Sequence, residues 1–350
     1  MWVFAGSREN KTVKNKIKVV IPAAGAGKRL FPHTFTKPKP MVYIAGKPII
    51  GHILDRMIDV EPEEIIMVVG YKKEQIISYV DKNYSGIFNI RYVDQEEQLG
   101  LGHSIYVARD EIGDSNIMIA LGDMIFKAGY SEFYKHYLTN GECAASIGVR
   151  KVDDPKKYGI VELEGKYIKR LEEKPAHPSS NLGIAGVYFI KETPVLLSII
   201  EEMINKNTRT RGEYQLTDAL QEMVSRGYRL KTFPVSSWYD CGHPESLLET
   251  NRVLLDEKED IDHVHQIKDS VIIQPVAIGD NVTIINSVIG PHASIASDSY
   301  IESSIISDSV IGSRSHISKV NLQRSIVGDD ASVHGKHNSL NIGDSSSIEF

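Results

Sequence analysis

From Ile278 onward the chain keeps a step that few folds can carry. Apolar residues recur at 278, 284, 289, 295, 301, 306, 311, 317, 322, 327 and 333, at intervals of six or five. Ile-Gly or Val-Gly doublets stand at 278, 289, 311, 327 and 342, and helical periodicity is missing. Hexapeptide stepping puts one inward side chain on each flat side of a three-sided coil, which predicts a parallel β-helix of roughly four coils. A low-complexity Ser/Ile tail would not hold that register. A solenoid's open ends call for a cap or a partner. The coils are therefore expected to build a homodimer or homotetramer, far from any chemistry.

Upstream the pattern is different. Buried-strand runs at 17–21, 65–70, 90–94 and 117–121 alternate with helical spacing at 49–58, 74–80 and 102–109. That alternation predicts an α/β domain with a mostly parallel sheet. From about 143, strands at 144–149, 160–164, 167–171 and 184–190 with short turns predict an antiparallel wall. Helices at 193–205 and 217–226, a strand at 230–235 and a helix at 244–256 complete it, and Thr217 reads as a helix cap. The charged run 257–260 suits a linker, so the expected division is a disordered leader 1–16, a domain 17–260 and the β-helix 261–350.

Composition excludes several classes. With 40 basic and 46 acidic residues among 350, net charge −6, the basic excess of a nucleic-acid binder is missing. Two cysteines make no disulfide framework and fit a reducing cytoplasm. No apolar run approaches the roughly 20 residues of a membrane span, and residues 1–16 lack a signal peptide's apolar core.

The chemistry is concentrated after the first strand. Ala23-Ala24-Gly25-Ala26-Gly27 is a loop almost without side chains, where a polyanion can approach backbone N–H donors. Arg29, Lys37 and Lys39 follow within a dozen residues. The loop imitates a P-loop, but Arg29 stands where Ser or Thr should follow Lys28. A dinucleotide fingerprint fails too, because Leu30-Phe31-Pro32 replaces the helix-opening Gly.

Arg29-Leu30-Phe31-Pro32-His33-Thr34, then Pro38-Lys39, resembles the signature of the sugar-phosphate nucleotidyltransferases, or nucleotide-sugar pyrophosphorylases, in order and spacing. Leu121-Gly122-Asp123 and Trp238-Tyr239-Asp240-x-Gly242 resemble that family's two metal-binding motifs. The resemblance covers about residues 17–256, and the tail is similar to that of long-form glucose-1-phosphate thymidylyltransferases. It implies a Rossmann-like mixed-sheet nucleotidyltransferase domain followed by a left-handed β-helix. It implies Arg29, Lys39, Asp123 and Asp240 as catalytic residues, with Mg²⁺ on the two aspartates. It assigns Ala24, Gly25, Gly27, Gln95 and Gly100 to the nucleotide, and Tyr158, Gly159, Glu173, Lys174, Asn181, Tyr188 and Trp238 to the sugar phosphate.

The implied substrates are glucose 1-phosphate with dTTP or UTP. Pro40 follows Lys39 where the thymidylyltransferases have Gln, which keeps mannose-1-phosphate guanylyltransferase-like specificity open; Tyr43, where the family usually has Pro, is a departure from the general signature. A catalytically silent regulatory subunit is the rival of another class, opposed by the complete set Arg29, Lys39, Asp123, Lys174 and Asp240. Acyl transfer on the β-helix through His316 or His334 is the other rival.

Overall fold

The structure, a computed structural model, describes residues 17–139, 141–257 and 266–336. The expected leader, the linker after Glu257 and the Ile342-Gly343 doublet lie outside the described residues. In chain order the first part runs β1 (Lys18–Pro22), β2 (Tyr43–Ile44), β3 (Lys47–Pro48), α1 (Ile49–Asp55), β4 (Glu64–Val69), α2 (Lys73–Tyr84), β5 (Ile90–Asp94), α3 (Leu101–Val107), α4 (Arg109–Ile112) and β6 (Ile117–Ala120). It continues β7 (Met124–Phe126), α5 (Tyr130–Thr139), β8 (Ala145–Lys151), β9 (Gly159–Glu164), β10 (Tyr167–Glu173), β11 (Leu182–Ile190), α6 (Thr193–Asn205), α7 (Leu216–Ser225), β12 (Leu230–Pro234), β13 (Trp238–Asp240) and α8 (Pro244–Asp256).

The β-branched run Val19-Val20-Ile21 is fully buried, as expected of a strand covered on both faces. It sits at the middle of a sheet ordered β10-β9-β11-β6-β1-β4-β5, with β8 on β11 and β12 on β8. Strands β6, β1, β4 and β5 are parallel, and β11 joins β6 antiparallel. The mixed sheet and the antiparallel wall are therefore as the spacing predicts. The sequence reading missed β7, its pairing with β13, and α5. Gln215, not Thr217, occupies the N-cap position of α7, without a side-chain capping bond; the Thr217 hydroxyl instead donates to Glu173 Oε2 at 2.8 Å.

The second part is a left-handed β-helix of short parallel strands, from β14 (Gln266–Lys268) to β26 (Ser332–His334). The apolar step is its core. Ile284, Ile301, Ile317 and Val333 stack on one side, Ile289, Ile306 and Leu322 on the second, Ile295, Ile311 and Val327 on the third.

The coils do not stand clear of the signature segment, contrary to expectation. Ala277 and Val310 belong to the apolar core of the first part. The Tyr43 hydroxyl donates to the Ile295 carbonyl at 3.2 Å, and Lys37 Nζ pairs with Asp329 at 2.5 Å. Arg252 reaches the nearly buried Asp308 at 2.7 Å. At the centre of the junction lies Asn251, fully buried. Its Oδ1 accepts from the Ala45 N–H at 2.9 Å and from the Ser294 hydroxyl at 2.6 Å, and its Nδ2 donates to the His292 carbonyl.

Asn251→Ala leaves these buried partners unpaired, so it should cost about 2 kcal/mol. Thermal unfolding of the full chain checks this; a midpoint within about 1 °C of the parent would contradict the junction's role.

Candidate active site

Parallel strands leave their carboxyl ends on one edge, where ligands of open α/β sheets bind. Here that edge is stitched loop to loop. Ala23 N–H donates to Val68 O at 2.8 Å, Gln95 N–H to Val69 O at 2.7 Å, and Gly122 N–H to Pro22 O at 3.1 Å. A Cβ on Gly122 would lie 2.7 Å from that Pro22 oxygen, so only glycine permits the approach. The Gly loop, Gln95 and Asp123 are brought to a common rim by these bonds.

The rim holds two adjoining pockets. The first, about 210 Å³, is lined by Pro22, Ala24, Gly25, Gln95, Gln98, Gly100, Leu101, Ser104 and Glu213. Gly102 N–H donates to Tyr214 O and Tyr214 N–H to Leu99 O, each at 2.8 Å, so residues 213–214 form its wall. Gln98 is anchored to the Ala24 carbonyl at 3.0 Å. The second, about 250 Å³, carries Arg29, Asp123, Tyr158, Gly159, Glu173, Lys174, Tyr188 and Asp240, and shares Leu101 with the first. Trp238 lines an adjacent basic cleft with Arg29, Arg150, Lys174 and His243.

Lys174 is held in a left-handed conformation, φ 44°, which costs a non-glycine residue strain that the surroundings must offset. Its N–H donates to the Tyr158 carbonyl at 3.0 Å, and its carbonyl accepts from Arg211 at 2.8 Å. The Lys174 ammonium lies 3.2 Å from Glu173 Oε1, while Thr217 holds the other carboxylate oxygen. Burial pushes the Tyr188 hydroxyl's pKa up, keeping it neutral.

The β7–β13 pair sets Asp240 opposite Met124 and therefore beside Asp123. Lys39 is buried, 7% exposed, and its ammonium reaches Asp123 Oδ2 at 2.5 Å and Asp240 Oδ1 at 3.9 Å. Both carboxylates remain about one-third open to the pocket. Two converging carboxylates on an open wall, already gathered round a cation, fit an ion that takes few protein carboxylates and completes its shell with phosphate oxygens.

Three expected residues fall elsewhere. Asn181 is exposed, lines none of these pockets, and gives its carbonyl to the Val152 N–H. Gly27 lines none either. Its φ of 65° tucks it against Lys39, where a Cβ would lie 2.8 Å from the Lys39 Cβ. Lys37 is turned to Asp329 and not to the rim. The sequence reading also missed Gln98, Ser104, Glu213 and His243; His243 Nε2 lies 3.2 Å from Arg29. Gln98 and Ser104 flank Gly100 within one short segment and Glu213 stands in a stretch read as a helix start, whereas His243 reaches the rim through packing of a distant segment.

Removing the Lys39 ammonium leaves two carboxylates facing each other unpaired. Lys39→Met should lower the unfolding midpoint by on the order of 5 °C, and added Mg²⁺ should raise it more than in the parent. Equal responses of parent and variant to the metal would contradict this reading of the cluster.

Residues 18–257 match the Nucleotidyl transferase family. A glucose-1-phosphate thymidylyltransferase from Streptomyces griseus is 28% identical over 337 residues, covering 91% of this chain and 93% of that protein. A UTP–glucose-1-phosphate uridylyltransferase from Haloferax volcanii is 36% identical over 245 residues, covering 69% of this chain and 98% of its own length. Among solved structures, a UDP-glucose pyrophosphorylase complexed with UDP-glucose superposes with TM-score 0.60 at 27% identity, over 69% of this chain and all of that one. With the family matched across the whole α/β part, the chain belongs to the nucleotidyl transferases and is an enzyme of nucleotidyl transfer onto sugar 1-phosphates.

Proposed function

We propose that this enzyme joins glucose 1-phosphate to the nucleotidyl group of dTTP or UTP, giving a nucleotide sugar and pyrophosphate. The observation that carries the reading is that Asp123 and Asp240, gathered round the buried Lys39 ammonium, line a pocket that also holds Arg29 and Lys174. The sugar phosphate is its own nucleophile, being largely ionised at neutral pH with a second pKa of about 6. No protein base or nucleophile is required. Burial accordingly leaves the Cys241 thiol pushed up to about 12, useless as a thiolate.

A sugar-phosphate oxygen attacks the α-phosphorus in line. The new P–O bond forms as the bond to the bridging oxygen breaks, and the electron pair leaves with pyrophosphate. Catalysis then rests on positioning and charge neutralisation. Arg29 stabilises charge gathering on the departing pyrophosphate, and Lys39 tethers the triphosphate. Lys174 holds the sugar phosphate, with Glu173 and Tyr188 beside the sugar. A divalent cation such as Mg²⁺ at Asp123 and Asp240 would neutralise the phosphates between them. Ala24, Gly25, Gln95 and Gly100 take the nucleoside, in the pocket next door. The domain 17–260 carries this chemistry.

Pyrophosphate release from dTTP, UTP, GTP, CTP and ATP, against glucose, mannose and other sugar 1-phosphates, tests the substrates. Glucose 1-phosphate with dTTP or UTP should lead, and a lead for GTP with mannose 1-phosphate would contradict the assignment. Asp240→Asn should lower turnover on the order of 10²-fold or more. Arg29→Ala should lower kcat, whereas Lys174→Ala should raise the KM for the sugar phosphate. If both raised only the triphosphate KM, the division of roles would be wrong.

A further inference from the structure

Along each short strand of the β-helix, side chains alternate inward and outward, so the outer rows show what each side meets. On the third side the outer row is Ala277, Ser294, Val310 and Ile326, in register from coil to coil. It is mostly apolar, and it is covered. Ala277, Ser294 and Val310 are buried, and Ile326 packs against the core of the first part. On the first side the corresponding row is Thr283, Tyr300, His316 and Ser332, polar groups suited to water.

The second side breaks this rule. Its outer row, Val271, Val288 and Ile305, is as apolar as the covered one. Yet Val271 is 56% exposed and Ile305 49%. Ile273, beside Val271 in the first described coil, is exposed as well. Ile285, at the adjoining corner of the next coil, is half-buried. A contiguous apolar strip left in water marks a surface that another body covers.

The charges beside the strip say which body. Lys268 and Glu302 flank Ile285 in its own row, one coil before it and one coil after. Neither has an ion-pair partner among the described residues. A second copy, turned over about a twofold axis that runs parallel to the strands through the coil of Val288, presents its coils in reverse order. Lys268 then faces the partner's Glu302, Val271 faces the partner's Ile305, and Ile285 and Val288 face their own counterparts. Packing in the same coil order would set Lys268 level with the partner's first coil, away from its Glu302.

We infer that the second side of the β-helix is the contact between two copies of this chain, packed antiparallel in an isologous dimer. The strip and its two charges are complementary to themselves, which is what a twofold interface demands. No residue of the strip lines either pocket, so each copy keeps its own chemistry. The inference stands apart from the choice of substrates.

The test is sedimentation equilibrium of the full chain at low salt, where exposed charges are least screened, with circular dichroism to check the fold. The parent should show the mass of two chains, falling to one on dilution. Val271→Asp with Ile305→Asp sets carboxylates face to face across the strip, and should leave the mass of one chain at every concentration with an unchanged spectrum. Lys268→Glu should weaken the dimer about tenfold, since both symmetry-related pairs become repulsions. Adding Glu302→Lys to Lys268→Glu should restore the parent's dissociation constant, which no unfolded variant could do. A parent of one chain or three, an unchanged mass in the double aspartate variant, or an exchange of charges that fails to restore the dimer overturns the inference.

Discussion

The ammonium of Lys39, buried between Asp123 and Asp240, is the contact on which the site depends. Two neighbouring carboxylates, each still about one-third open to the pocket, repel each other, and a fixed cation beside them lets β7 and β13 pair and keep both acids on one wall. The signature segment exists to deliver that cation. Gly27 adopts a left-handed conformation beneath the Lys39 stem, and the Thr34 hydroxyl donates to the Gly27 carbonyl at 2.9 Å. Leu30 is fully buried and pins the intervening turn. Gly27, Thr34 and Lys39 are thus packing partners of one another, and Arg29 is exposed at the cleft.

The β-helix bears on that same segment. Tyr43, which stands where the family usually has Pro, reaches the Ile295 carbonyl, and Lys37 is fixed by Asp329. Asp329 is itself held, its Oδ1 accepting from the Ser313 N–H at 3.0 Å. Both flanks of Lys39 therefore touch a coil. The tail braces the signature segment whatever its part in assembly.

Period was legible in the sequence; convergence was not. The six-residue step named the inward residues from Ile278 onward, because a solenoid's core is set by neighbours one coil away, and it missed Ile267 and Ile272 of the first described coil. Gln95, Asp123 and the Gly loop were found because each ends an apolar run, and strand ends share an edge. The β7–β13 pair was missed because three-residue strands carry no period. Asn181 matched a motif yet lines none of the pockets, and Ser104 matched nothing although it lines one. A motif records residue order, whereas exposure and hydrogen-bond satisfaction belong to the packed chain.

The central claim is a single in-line displacement, with substrate phosphate as nucleophile and no covalent intermediate on the protein. Configuration at phosphorus decides it. With UTP or dTTP carrying a chiral α-thiophosphate, and glucose 1-phosphate as acceptor, the account predicts a nucleotide sugar inverted at the α-phosphorus. Retention would mean two displacements through a nucleotidylated side chain, and would contradict the account.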